Sequence, residues 1–273
     1  MLHVSRNTKI VIGIVLAFWG ILTFFPFVWM ISASFKTNAE ITTQGLSIIP
    51  NEPTWNNYKE LFERLNFDVY LKNTIIVTVM SFAGLIINSM AGFGFARYEF
   101  KGKNVMFIAV LATMMIPSQV TMIPVYLLLT KMGLTNSYLG IVLPGLSSAF
   151  SIFLFRQFFE NISEELFEAA RLDGASEWYV FFKIALPLSR SIMAVQALLT
   201  FIGGWNSFLW PLIIANDQRF YTLSVGLQLL QGQHGTNYAL QMAGATFMII
   251  PILFLFIVFQ KYILSGFDVS GGK

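Results

Sequence analysis

Apolar residues along this chain come in long unbroken runs instead of alternating with polar ones. Windows free of Asp, Glu, Lys and Arg extend over Ile10–Phe35, Asn73–Ala96, Asn104–Thr130, Met132–Phe155 and Ser191–Asn216. A further window, Phe220–Gln260, begins with a polar stretch, LQGQHGTNY, and only its part from about Ala239 onward is apolar throughout. A helix needs about 20 apolar residues to cross a bilayer. Each window is therefore read as one tilted helix, which predicts six spans over about 10–35, 73–96, 104–130, 138–155, 191–214 and 239–260.

Composition agrees with this pattern. Of the 273 residues 56% are hydrophobic and only 11% charged, too little charge to cover a water-soluble domain of this size. The expected class is all-α: a polytopic membrane protein forming one transmembrane domain over residues 1–273. The net charge of +3 does not indicate nucleic acid, because the bases are scattered through short loops. With the N-terminus inside, Arg6, Lys9, Arg97, Lys101, Lys103, Arg156, Arg171, Lys183, Arg190, Lys261 and Lys273 fall on the inner side. Lys36, Lys59, Arg64, Lys72, Lys131 and Arg219 fall outside. That asymmetry predicts both termini in the cytoplasm of a bacterial or archaeal cell. The first window follows Arg6 and Lys9 and contains a cleavage-like SAS at Ser32–Ser34, but its apolar run is longer than a signal peptide's. Cysteine is absent, and the two histidines, His3 and His234, are too far apart to form a metal cluster, so no metal site is expected.

Between spans one and two, NNYKELFERLN places Tyr58, Leu61, Phe62 and Leu65 at helical spacing. This suits a short helix lying at the membrane interface, or a docking surface for an external partner. Pro26, Pro117, Pro124, Pro144, Pro211 and Pro251 lie within the windows and offer places to bend. Gly84, Asn88 and Gly92 recur every fourth residue, as a close helix contact requires. Gln119, Trp205 and Asn206 are polar positions in the spans. They either bond neighbouring helices or line a path for a hydroxylated solute.

Charge concentrates in one stretch, EELFEAARLDGASEWYVFFKIALP (Glu164–Pro187), with five acids and two bases. Ser163 can cap a helix whose first turn holds Glu164 and Glu165, and Gly174 is placed to stop it. Ser176 can cap a second helix, Glu177–Ile184, and Pro187 sits where the chain re-enters the membrane. On the first helix Glu164, Glu168 and Arg171 share a face, while the small pair Ala169 and Ala170 allows close approach of another surface.

Glu168-Ala169-Ala170, three residues, Gly174, nine residues, then Ile184–Pro187 resembles the EAA signature of ABC importer permeases. PFVWMISASFK, GFGFARYEFKGK, MIPSQVTMIPVY, WNSFLWPLI and TLSVGLQ are similar to the carbohydrate branch of that family, the branch that includes the second maltose permease subunit. The resemblance implies an EAA coupling-helix loop over 160–187 on the cytoplasmic side, with Glu168, Ala169, Ala170, Arg171, Asp173, Gly174 and Pro187 engaging the motor. It implies a heterodimer with a second permease subunit, a cytoplasmic ABC ATPase dimer, an extracytoplasmic solute-binding protein and a sugar substrate of the di- or oligosaccharide class. No G-x-x-x-x-G-K-[ST] loop occurs, so ATP and Mg would bind the partner ATPase and this chain would carry no cofactor and no catalysis. The tail GFDVSGGK departs from the family's usual Gly-Ala-Val-Lys-Gly-like ending, and Asn237-Tyr238 stand where a Trp is common.

The alternatives are a permease for glycerol phosphate and an ion-coupled secondary transporter. Phosphate would need a fixed cation, and ion coupling usually needs ionisable groups within the membrane; the apolar windows have neither. A membrane-embedded enzyme could draw only on His234 with Asp217.

Overall fold

The structure, a computed structural model, describes residues 5–64, 66–233 and 237–268. His3, His234, Leu65 and the divergent end of the tail lie outside the described residues. The helices are α1 (Arg6–Ala33), α2 (Asn38–Gln44), α3 (Asn56–Arg64), α4 (Phe67–Ser81), α5 (Ala83–Arg97), α6 (Lys103–Thr113), α7 (Ser118–Lys131) and α8 (Tyr138–Val142). They continue with α9 (Ala149–Glu160), α10 (Glu164–Leu172), α11 (Glu177–Tyr179), α12 (Leu186–Leu188), α13 (Arg190–Trp205), α14 (Leu209–Ile214), α15 (Leu223–Gln233) and α16 (Tyr238–Asp268).

Among the described residues three stretches are long and apolar enough to cross a membrane as they stand: Arg6–Ala33, Phe67–Arg97 and Tyr238–Gln260. The other windows do not form single tilted helices. Lys103–Thr113 and Ser118–Lys131 meet at 99°, Tyr138–Gly145 and Ala149–Glu160 at 48°, and Glu177–Leu188 and Arg190–Trp205 at 81°. Counting each bent pair as one span gives up to six crossings. Proline accounts for the sharpest break. Pro117 precedes α7 in extended backbone and has no N–H to donate back into α6, and it also disfavours helical backbone at Ile116. Pro124 and Pro26, by contrast, sit within continuous helices.

The chain divides into two compact units. The first comprises Met1–Phe67 and Gly226–Pro251. Here Ala33, Ile41 and Ala239 are buried together, and Phe62, Phe67 and Phe247 pack edge to face. Asn57 Nδ2 donates to the carbonyls of Ser34 and Lys36, both at 2.8 Å, so it ties off the end of α1. Lys36 is 1% exposed; its ammonium donates to Ser47 O and lies 3.8 Å from Glu40. The short helix expected after Pro53 is α3, with Leu61 fully buried and Phe62 half exposed.

The second unit comprises Asp68–Val225 and Ile252–Lys273. Its centre is the long contact of α5 with α9. The Gly84/Asn88/Gly92 stripe lies against α9 at Gly92 and against the turn before it at Gly84 and Asn88. A Cβ on Gly84 would stand 2.6 Å from Leu146 O, and one on Gly92 2.5 Å from Phe155 Cβ. Asn88 between them donates to Leu146 O at 3.0 Å and accepts from Ser148 N at 3.0 Å. It thereby satisfies backbone groups that the break between α8 and α9 leaves free.

Candidate functional site

The charged stretch folds as a helix, a turn and a second helical segment. Ser163 stands at the N-cap of α10 in extended backbone, but its hydroxyl makes no cap bond; Glu164 and Glu165 occupy the first turn. The helix stops at Gly174, φ +84°, where Gly174 N donates to Arg171 O and Ala175 N to Ala170 O, both at 3.0 Å. This pair of bonds is the Schellman closure, which needs a residue comfortable in left-handed backbone. Ser176 Oγ then caps α11, accepting from Tyr179 N at 3.3 Å. The second segment is not one α-helix to Ile184. It widens into a π-turn at Val180–Ala185 and runs on through Pro187 to Leu188, with the sharp bend at Ser189.

Phe167 is the buried side chain of α10. It is fully buried among Phe93, Phe155, Phe159, Val180, Phe181 and Ala185. Burying one such ring contributes about 1.5–3 kcal/mol. Around it, Arg97 at the end of α5 lies 4.6 Å over the Phe167 ring, donates to the carbonyls of Phe159 and Ile162, and pairs with Glu164. Arg171 reaches Glu177 at 2.9 Å and Glu164 at 3.2 Å, while Tyr98 OH donates to Glu177. The bond from Arg171, then that from Tyr98, holds the Glu177 carboxyl below the usual carboxylate range. Tyr98 is pushed up to about 12, first by desolvation and then by the facing Glu177 carboxylate.

Glu168, Ala169, Asp173, Gly174 and Pro187 are exposed, and Ala170 and Arg171 half-buried. The outward side is not purely polar: Leu172 is 88% exposed and Trp178 63%. Motif spacing alone placed α10 but missed its fixings. Phe167 has a hydrophobic-periodicity signal, whereas Arg97 lies 67 residues before its partner Glu164 and has none.

A second feature of the same unit is a cavity of about 570 Å³ bounded by α4, α5, α7, α9, α13 and the turns beside them. Its lining includes Asn88, Ser148, Ser151, Gln196, Thr200, Ser207 and Trp210, and among the described residues no ionisable side chain. Gln119, Trp205 and Asn206 do not line it, although their neighbours Ser118, Gly204 and Ser207 do. Trp205 is buried and stacks on Phe201 at 5.4 Å, Asn206 ends α13, and Gln119 is exposed in the first turn of α7. Gln196 was missed by the sequence reading. Its signal was an amide inside an otherwise apolar window, the same signal that drew attention to Gln119 and Asn206.

Comparisons with known proteins bear on both features. The family model of the binding-protein-dependent transport system inner membrane component matches residues 84–268. The arabinooligosaccharides transport system permease protein AraQ of Halalkalibacterium halodurans is 36% identical over 264 residues, 94% of each chain. The lactose transport system permease protein LacG of Rhizobium radiobacter is 30% identical over 92% of each. Among solved structures, a chain of a bacterial ABC transporter involved in the import of the acidic polysaccharide alginate superposes with a TM-score of 0.85 at 26% identity, covering 96% of this chain and 99% of that one. With a matching family model over most of its length and full-length relatives, this chain belongs to the family of binding-protein-dependent transport system inner membrane components.

Proposed function

We propose that this chain is the transmembrane permease subunit of an ATP-driven ABC importer for sugars of the di- or oligosaccharide class. Its non-catalytic role and its working partners, a second permease subunit, an ATPase and an extracytoplasmic solute-binding protein, accord with its family. In this reading residues 1–273 form one permease domain that crosses the bacterial inner membrane six times, each bent pair counting as one crossing, with both termini inside. The segment 160–187 is the coupling loop. Glu168, Ala169, Ala170, Arg171, Asp173, Gly174 and Pro187 form its working surface, and Gln119, Trp205 and Asn206 stand near the solute path. The relatives named for arabinooligosaccharides, 34–36% identical, stand above those named for sn-glycerol 3-phosphate, 29–31% identical, which supports an oligosaccharide over glycerol phosphate.

The observation that carries the coupling assignment is the two-sidedness of α10. Phe167 and Arg97 fix one side to the bundle, while Glu168 and Ala169, beside exposed Leu172 and Trp178, are left facing outward. A helix held this rigidly and bare on its outer side suits a partner that must push on it. Glu168→Lys tests the assignment. The variant should assemble normally yet lose more than about tenfold in sugar uptake while ATP hydrolysis continues, because a reversed charge at a docking cleft repels its partner. Normal uptake by a well-expressed variant overturns the assignment. Co-purification with the products of neighbouring genes, followed by a ligand screen on the associated binding protein, tests the substrate class.

A further inference from the structure

We propose that the cavity against Gln196 is a binding site for one unit of an uncharged, polyhydroxylated ligand, with the Gln196 amide as its selecting group. The inference rests on the sugar-permease reading above and adds the site and the charge class.

Gln196 is 2% exposed and lines the cavity from α13. Ser151 Oγ on α9 donates to its Oε1 at 2.9 Å, which fixes the amide, while Nε2 has no partner. A buried donor left unmatched is costly, and such groups are retained where a partner arrives later. The other amide in the lining, Asn88, is held at both ends, its Nδ2 donating to Leu146 O and its Oδ1 accepting from Ser148 N. Gln196 is thus the lining amide whose nitrogen has no protein partner.

The rest of the wall suits the same ligand. Thr200 and Ser207 bring hydroxyls. Trp210 donates its Nε1 to Gly140 O at 3.1 Å, which uses the polar edge of the indole and leaves the ring as an apolar surface. Hydroxyls, an amide and an aromatic face match the alternation of O–H groups and C–H faces on a sugar ring. The volume, about 570 Å³, falls within the range of small-ligand pockets. An anionic ligand finds no fixed cation in the lining, and two amides at the start of α9 are already taken, Ser148 N by Asn88 and Ser151 N by Ser148 Oγ. Desolvating a carboxylate or phosphate against this wall would go uncompensated, so the lining supplied by this chain favours an uncharged ligand over oligouronates and sugar phosphates.

The cysteine-free chain allows a direct test. Thr200→Cys is introduced into the assembled transporter in native membranes, and its alkylation rate is measured with maltotriose, arabinotriose, lactose, trigalacturonate or glycerol 3-phosphate present. At least one neutral probe that the transporter also imports should slow alkylation about tenfold, and the two anions should not. Adding Gln196→Leu, similar in size and without the donor, should abolish that protection while the complex still assembles. Import of a neutral probe without any protection at Thr200→Cys overturns this inference and leaves the sugar-permease reading standing, as does protection unchanged by Gln196→Leu. Equal protection by the anions also overturns it. Import of glycerol 3-phosphate alone overturns both, and import of trigalacturonate alone overturns this inference and leaves the sugar-permease reading standing.

Discussion

Arg97 shows how much one side chain can organise. It caps two carbonyls at the end of α9, covers the Phe167 ring and pairs with Glu164, and so closes the end of α5 against the charged loop. On the other side of the loop Glu177 takes Arg171 and Tyr98 together. Because the folded carboxyl titrates below its ordinary value, this pairing stabilises the loop fully above the usual glutamate pKa of about 4.3 and is lost as pH falls through the lower folded value. Glu177 is 48% exposed, so solvent screening keeps the contribution to about 1 kcal/mol or less. Hydrogen exchange at residues 173–179, corrected for intrinsic chemical rates, should therefore accelerate below about pH 4, and Glu177→Gln should remove the pH dependence. Tyr98 works in the opposite sense, its contribution present below about 10 and lost as pH rises towards about 12, so it remains a protonated donor at neutral pH. At this scale the sequence was readable where geometry is local. Gly174 and Ser176 declared their turn and cap by residue type alone. The pairing of Arg97 with Glu164 was not readable, because it depends on how two distant helices pack.

At the scale of elements the contrast lies between the lengths of apolar runs and their bends. Window lengths marked where apolar helices lie, but a count of apolar residues does not register a change of axis. The 99° corner at Pro117 was foreshadowed by a proline, yet Pro26 and Pro124 leave their helices unbroken. The corner at Ser189 has no proline at it at all. Proline therefore signals where a bend is tolerated, and the neighbouring helices decide whether it occurs. The α5 stripe was legible, because a four-residue repeat of small residues has one meaning on a helix. Its packing can be measured with a matched pair. Gly92→Ala forces a methyl to within 2.5 Å of Phe155 Cβ and 2.9 Å of Arg156 N, and should destabilise the unit by about 1–3 kcal/mol, read as a lower melting midpoint in detergent. Gly94→Ala, two positions on and with nothing within 4 Å, should leave the midpoint unchanged or raise it slightly.

For the whole molecule the question is which side of the membrane each loop occupies. The excess of Lys and Arg in alternate loops argues that α10 faces the cytoplasm and α3 the outside. Glu168→Cys should then react with an impermeant thiol reagent only in inverted vesicles, and Lys59→Cys only in intact cells; the reverse pattern would overturn the topology. The class of machine was legible from one motif and the spacing of apolar windows. The cavity was not, since its wall is assembled from residues as far apart as Val77 and Trp210. The Asn88 clamp has a mechanical corollary. Phe155 and Phe159 of α9 grip the root of α10, while Asn88 locks the opposite end of α9 to α5 at Ser148, and both Asn88 and Ser148 belong to the cavity wall. The two helices form one strut with no free joint along it, so a shove delivered at its foot would reach the chamber at its head as a displacement of the wall.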